Sequence, residues 1–142
     1  MKNPNLIPPH PISHDGARGA CWDLPAAPET VGRARRLARE ALTAWGLSTL
    51  TEDVTMAISE VVTNAVVHAK SPVTLSLFRY GRSVRGEVTD HSTVWPAPLQ
   101  ADPDEEHGRG LAIVTAYTDR WGVDPAPEGK TVWFICTERE PS

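Results

Sequence analysis

The chain has 142 residues, 40 % of them hydrophobic and 23 % charged, with a formal net charge of −4 and a pI of about 5.7. That length suits one domain, and a single core of this size needs no metal or disulfide staple. The acidic balance argues against non-specific nucleic-acid binding, which needs a positive surface. No run of about 20 apolar residues is present to span a bilayer, and no N-terminal apolar stretch resembles a secretory signal. The expected location is therefore the cytoplasm, with no membrane partner and no direct nucleic-acid partner.

The two cysteines, Cys21 and Cys136, sit in apolar, strand-like stretches and belong to no C-x-x-C pair. They read as buried free thiols rather than as a zinc site or a disulfide.

Residues 1–19 carry Pro4, Pro8, Pro9 and Pro11 without periodicity and read as a disordered tail; 20–138 is the expected domain and 139–142 a short tail. Ala20 to Leu24 is a short apolar segment that suits an edge strand. From Glu29 to Trp45, Val31, Ala34, Leu37, Ala38, Ala41 and Leu42 recur at helical spacing, with Arg33, Arg35, Arg36, Arg39 and Glu40 on the other positions. Gly46 ends that helix. A second helix starts near Thr51, with Glu52 and Asp53 complementing the dipole in its first turn, and runs to about Ala69.

Val73 to Phe78 and Val84 to Asp90 alternate as a hairpin around Gly81 and Arg82. The span from His91 to Gly108 is polar and proline-bearing, with an acidic run Asp104-Glu105-Glu106, as a lid would be. Gly110 opens a third helix from Leu111 to about Tyr117. Trp121 to Val123 and Thr131 to Cys136 form a last hairpin. The order β-α-α-β-β-loop-α-β-β implies an α+β two-layer sandwich: a mixed, mostly antiparallel sheet with helices on one face.

The second helix carries the most chemistry. Glu60, Asn64 and His68 recur every four residues, so they form one polar line on a helix otherwise built of Val, Ile and Ala. Asn is a poor mid-helix residue. A carboxylate and a carboxamide one turn apart supply oxygens of the kind Mg²⁺ takes together with phosphates and water. A solvated stripe on an amphipathic helix would show the same spacing. Asp90 ends a strand, where a carboxylate can accept a hydrogen bond from an exocyclic amine, or simply start a turn. Gly108-Arg109-Gly110-Leu111 precedes a helix, where backbone N–H groups can meet phosphate and Arg109 can add charge-assisted hydrogen bonds; a plain flexible loop reads alike. Gly129-Lys130-Thr131 begins the last strand, and Thr131 could offer a hydroxyl inward.

In this order, Ser59-Glu60-x-x-Thr63-Asn64-Ala65, Asp90-x-Ser92, Gly108-Arg109-Gly110-Leu111 and Gly129-Lys130-Thr131 resemble the histidine-kinase-like ATPase superfamily, the Bergerat-type fold of sensor kinases and DNA gyrase. The chain is most similar to the small stand-alone branch related to anti-sigma-factor serine/threonine kinases, over about Ala20 to Cys136. Asp119-Arg120-Trp121-Gly122-Val123 followed by Gly129-Lys130-Thr131-Val132-Trp133-Phe134 looks particularly like that branch.

The resemblance implies ATP and Mg²⁺ as cofactors. It implies Asn64 as the Mg²⁺ ligand and Glu60 as general base. Asp90 would bind the adenine amine, and Gly108, Arg109, Gly110 and Leu111 would form the phosphate-side loop. Thr131 would lie at the floor of the adenine pocket and His68 near the phosphates. It further implies a kinase that phosphorylates an anti-sigma-factor antagonist, binds a sigma factor and forms a homodimer.

The family's usual Asp-x-Gly-x-Gly reads here Asp90-His91-Ser92-Thr93-Val94, and the lid from His91 to His107 is short and lacks a glycine-rich stretch. Those departures favour the alternative, a non-catalytic, ATP-dependent module that sequesters a partner. A metal hydrolase using Glu60, His68 and His107 is disfavoured, because no H-E-x-x-H spacing exists.

Overall fold

The period-2 alternation of the strand segments builds a six-stranded sheet in the computed structural model, which describes residues 10–14, 17–91, 106–127 and 129–139. In chain order the elements are β1 (His10–His14), β2 (Ala17–Leu24), α1 (Glu29–Ala44), α2 (Thr51–Thr63), β3 (Val73–Tyr80), β4 (Ser83–Asp90), α3 (Glu106–Tyr117), β5 (Arg120–Ala126) and β6 (Gly129–Thr137). A 3₁₀ turn, Ser48–Leu50, leads into α2, and a π-helical segment, Asn64–His68, follows it. The strands lie in the order β1-β2-β3-β4-β6-β5, and each pairing is antiparallel.

Register fixes which side chains share a face. Trp22, Leu75, Val88 and Val132 face one another across neighbouring strands, as do Ala20, Leu77, Gly86 and Phe134 one level along. These rows join one core with residues of α1 and α2, including Ala34, Leu37, Val54 and Ile58. The other face carries Ser76, Glu87 and Trp133 in register. Arg85 pairs there with Glu87 at 2.7 Å and lies 4.6 Å over the Trp133 ring, a cation–π contact.

Gly86 is where β4 makes room for a large side chain of its neighbour β6. Phe134 is fully buried, and a Cβ at Gly86 would lie 2.3 Å from its ring. The missing side chain gives the ring its seat on the strand.

Helix α1 ends as its glycine predicts: Gly46 N–H donates to Thr43 O and Leu47 N–H to Leu42 O, and Leu47 is buried. The Thr55 and Ser59 hydroxyls within α2 donate to the carbonyls of Thr51 and Thr55, which lets polar residues sit in a well-packed helix. No helix among the described residues is long and apolar enough to cross a membrane.

The sequence reading is corrected in four places. First, His10–His14 is a strand paired with β2, so the sheet begins inside the stretch read as tail; residues 1–9 lie outside the described residues. Pro11 is compatible because β1 is an edge strand, where a missing N–H breaks no central ladder. Second, Ala20 to Leu24 consequently belongs to an interior strand rather than an edge. Third, the sheet is antiparallel at every described pairing rather than mixed. Fourth, α3 starts at Glu106 and not at Leu111, so Gly108 and Gly110 fall inside its first turns. The lid reading falls mostly on 92–105, outside the described residues.

Gly86→Ala is expected to lower stability by about 1–3 kcal/mol through overpacking against Phe134, read as an earlier urea midpoint. Alanine is intrinsically better than glycine in a strand. A midpoint that stays or rises would therefore contradict this packing.

Candidate functional site

The two ends of the sheet are distinguishable by what helix α2 brings to each. At one end, a cavity of about 520 Å³ is lined by Leu50 and Asp53 at the start of α2, Ala116 and Tyr117 at the end of α3, and Arg82 and Thr137 from the sheet. Burial pushes the Cys136 thiol here up to about 12, and the carboxylates of Asp53 and Asp119 add to the shift. The thiol donates to Tyr117 O at 3.5 Å. Both cysteines are free thiols: Cys136 faces the core as the sequence suggested, whereas Cys21 is only half-buried, on the other face.

The opposite end of the sheet holds Asp90 and Lys130. Helices α2 and α3 pack along each other. The α3 C-terminus is tied to the Cys136 end of β6. The segment that follows α2 reaches the Asp90 end of the sheet, where Ser71 Oγ accepts from the His91 N–H at 2.8 Å.

Glu60 and Asn64 are half-buried on one flank of α2, beside a core-facing side made of Val54, Ala57, Ile58, Val61 and Ala65. That flank is shared with Asp53 by helical spacing, and Asp53 lines the cavity against α3, so Glu60 and Asn64 lie on the α3 side. Asn64 is also where the α-helical pattern ends. Its carbonyl accepts from Ala69 N–H at 3.0 Å, five residues on. His68 lies at the end of this π turn and is exposed, whereas Glu60 and Asn64 are half-buried. π turns often accompany functional positions, and here one follows the two residues of greatest chemical interest.

Asp90 is at the C-terminal end of β4, on the core face, in register with Val73 and Lys130. Its Oδ2 accepts from Lys130 Nζ at 2.8 Å, and each side chain is 5 % exposed. A lysine buried to this degree requires a partner. Gly129 sets the approach: a Cβ there would lie 2.0 Å from Asp90 O, so only glycine lets the two backbones come this close.

Thr131 does not join the site. Alternation places it on the outer face, where its hydroxyl is 2.7 Å from that of Thr89. The core-facing position at this level belongs to Lys130, which the sequence reading passed over. The signal was present: Val132, Phe134 and Cys136 are the buried positions of the strand, so the same alternation assigns Lys130 inward.

Gly108, Arg109, Gly110 and Leu111 lie on the α3 backbone, within its first two turns. The side chains of Arg109 and Leu111 lie outside the described residues. Among the described residues, no group of three or more His, Cys, Asp or Glu could hold a metal. The donor set suits Mg²⁺, which keeps several waters and takes phosphates with one or two protein oxygens, and does not suit an all-protein metal cage.

Comparison with known proteins identifies the family and the fold. The family model described as histidine kinase-like ATPase domain matches residues 24–136. No curated protein matches the chain. Among solved structures, the crystal structure of the RsbU and RsbW domains of Rv1364c from Mycobacterium tuberculosis is similar, with a TM-score of 0.67 at 22 % identity. The match covers 87 % of this chain and 33 % of that one, so this chain spans about a third of that protein. The match over 24–136 takes in the second helix, the Asp90 strand end and the start of the last strand, and the chain belongs to the histidine kinase-like ATPase domain family.

Proposed function

We propose that this chain is an ATP-binding regulator of the anti-sigma-kinase type, which transfers phosphate to a serine or threonine of an antagonist protein. The reading rests on Glu60 and Asn64 sharing one half-buried flank of the second helix and on Asp90 closing β4, in a chain of this ATPase family. The similarity to a structure containing an RsbW domain supports the branch.

In this reading, Asn64 offers its amide oxygen to Mg²⁺ and the first-turn N–H groups of α3 meet the phosphates. Asp90 accepts from the adenine amine. When bound, ATP with Mg²⁺ supplies an activated γ-phosphoryl group. Glu60 accepts the proton of the attacking hydroxyl, and its half-buried position keeps the carboxylate beside the site without sealing it. Catalysis comes chiefly from positioning and charge neutralisation, as is general for phosphoryl transfer. The partner class is a sigma factor or its antagonist protein, the location the cytoplasm, and the working form a homodimer.

One observation favours the second reading, a module that sequesters a partner without turnover: the Asp90 carboxylate is already engaged by Lys130.

Purified protein incubated with radiolabelled ATP, Mg²⁺ and a panel of anti-sigma-factor antagonists separates the two. The kinase yields phosphoserine or phosphothreonine on one antagonist, and sequestration yields a stable complex with no label. Glu60→Gln is expected to lower transfer by about 10²–10⁴-fold with ATP binding retained, whereas Asn64→Ala weakens binding and transfer together. Transfer at the wild-type rate by Glu60→Gln would remove Glu60 from the role of base.

A further inference from the structure

The carboxylate that would read the nucleobase is not open to solvent in this protein. Asp90 and Lys130 form a contact of 2.8 Å with each side chain 5 % exposed, at the end of the sheet where the nucleotide reading places the base. Three features hold the lysine there. The β4–β6 register sets it directly opposite Asp90. Gly129 brings the β6 backbone against the Asp90 carbonyl. The Thr131 hydroxyl meets Thr89 on the outer face, which fixes the pleat and turns Lys130 inward.

An ammonium and the 6-amino group of a purine are both N–H donors to a carboxylate, and the charged donor makes the stronger hydrogen bond. With the carboxylate this enclosed, an amine arriving from solvent meets the ammonium already in contact with it.

Resting on the nucleotide reading above, we propose that Lys130 is a built-in competitor for the base and a specificity-determining residue of the site. Its ammonium takes the hydrogen bond that the exocyclic amine of a 6-aminopurine nucleotide needs. Binding of that base must displace Lys130 from Asp90. The wild-type protein accordingly grips ATP mainly through phosphates and metal and discriminates poorly for the amine.

The test is calorimetric titration, with Mg²⁺, of ATP and of purine riboside triphosphate, which has the same phosphates and no exocyclic amine. The proteins are wild type, Lys130→Thr and the double variant Asp90→Asn/Lys130→Met. Removing the lysine alone leaves the buried Asp90 carboxylate without its ammonium, which threatens the fold. The double variant removes both charges and keeps a carbonyl acceptor, so it carries the test if the single variant does not fold.

Wild type is expected to bind the two nucleotides within about threefold of each other. Lys130→Thr and the double variant should each bind ATP at least about tenfold tighter than wild type, about 1.4 kcal/mol, and prefer it over the amine-free analogue by about tenfold. Equal ATP affinity in wild type and the variants overturns the proposal and leaves the nucleotide reading intact. So does a wild type that already prefers ATP by about tenfold and loses that preference without the lysine. If neither nucleotide binds any of the three proteins, the competitor role and the nucleotide reading fall together.

Discussion

The structure depends on helix α2 having to satisfy three neighbours at once. It packs against α1, against α3 and onto β4 and β6. Val54, Ala57, Ile58, Val61, Val62 and Ala65, each no more than 3 % exposed, supply that contact. Close packing of this kind leaves little freedom for polar groups. Ser59 is accommodated by donating to the backbone, and Glu60 and Asn64 are left on the one flank that is neither core nor open surface. The residues with chemical potential are where they are because the rest of the helix is committed to packing.

The same economy governs the far end of the sheet. One level of the β4–β6 ladder decides whether a side chain joins the core or the outer face. It sends Asp90 and Lys130 inward, while the next level sends Thr89 and Thr131 outward. Because Gly129 admits the Asp90 backbone at a distance no Cβ could tolerate, the ladder stays closed to its last rung. The Ser71–His91 hydrogen bond ties the end of this ladder to the segment that follows α2. Helix and strand end are thus held relative to one another by packing and by a short polar contact.

Much of this was legible in the sequence. The helical spacing from Glu29 to Trp45 and the alternation from Val73 to Asp90 gave α1, β3 and β4 close to their observed bounds, because each has a clean apolar period. What escaped has identifiable causes. β1 contains Pro11 and has no period of its own, and only its pairing with β2 makes it a strand. The start of α3 was set too late because glycines at 108 and 110 read as loop, yet the helix runs through them. The line of Glu60, Asn64 and His68 assumed an unbroken α-helix, whereas a π turn begins at Asn64. Thr131 drew attention as a hydroxyl, although the alternation of its own strand assigned the inward place to Lys130.

The claim on which the account turns is that the Glu60–Asn64 flank of α2, the Asp90 end of the sheet and the start of α3 together form a Mg²⁺–nucleotide site. Titration of the wild-type chain with ATP, in the presence and absence of Mg²⁺, measures this most directly. The account predicts saturable, one-to-one binding that weakens markedly when the metal is removed. No binding under either condition, or binding indifferent to Mg²⁺ and to Asn64→Ala, would contradict it.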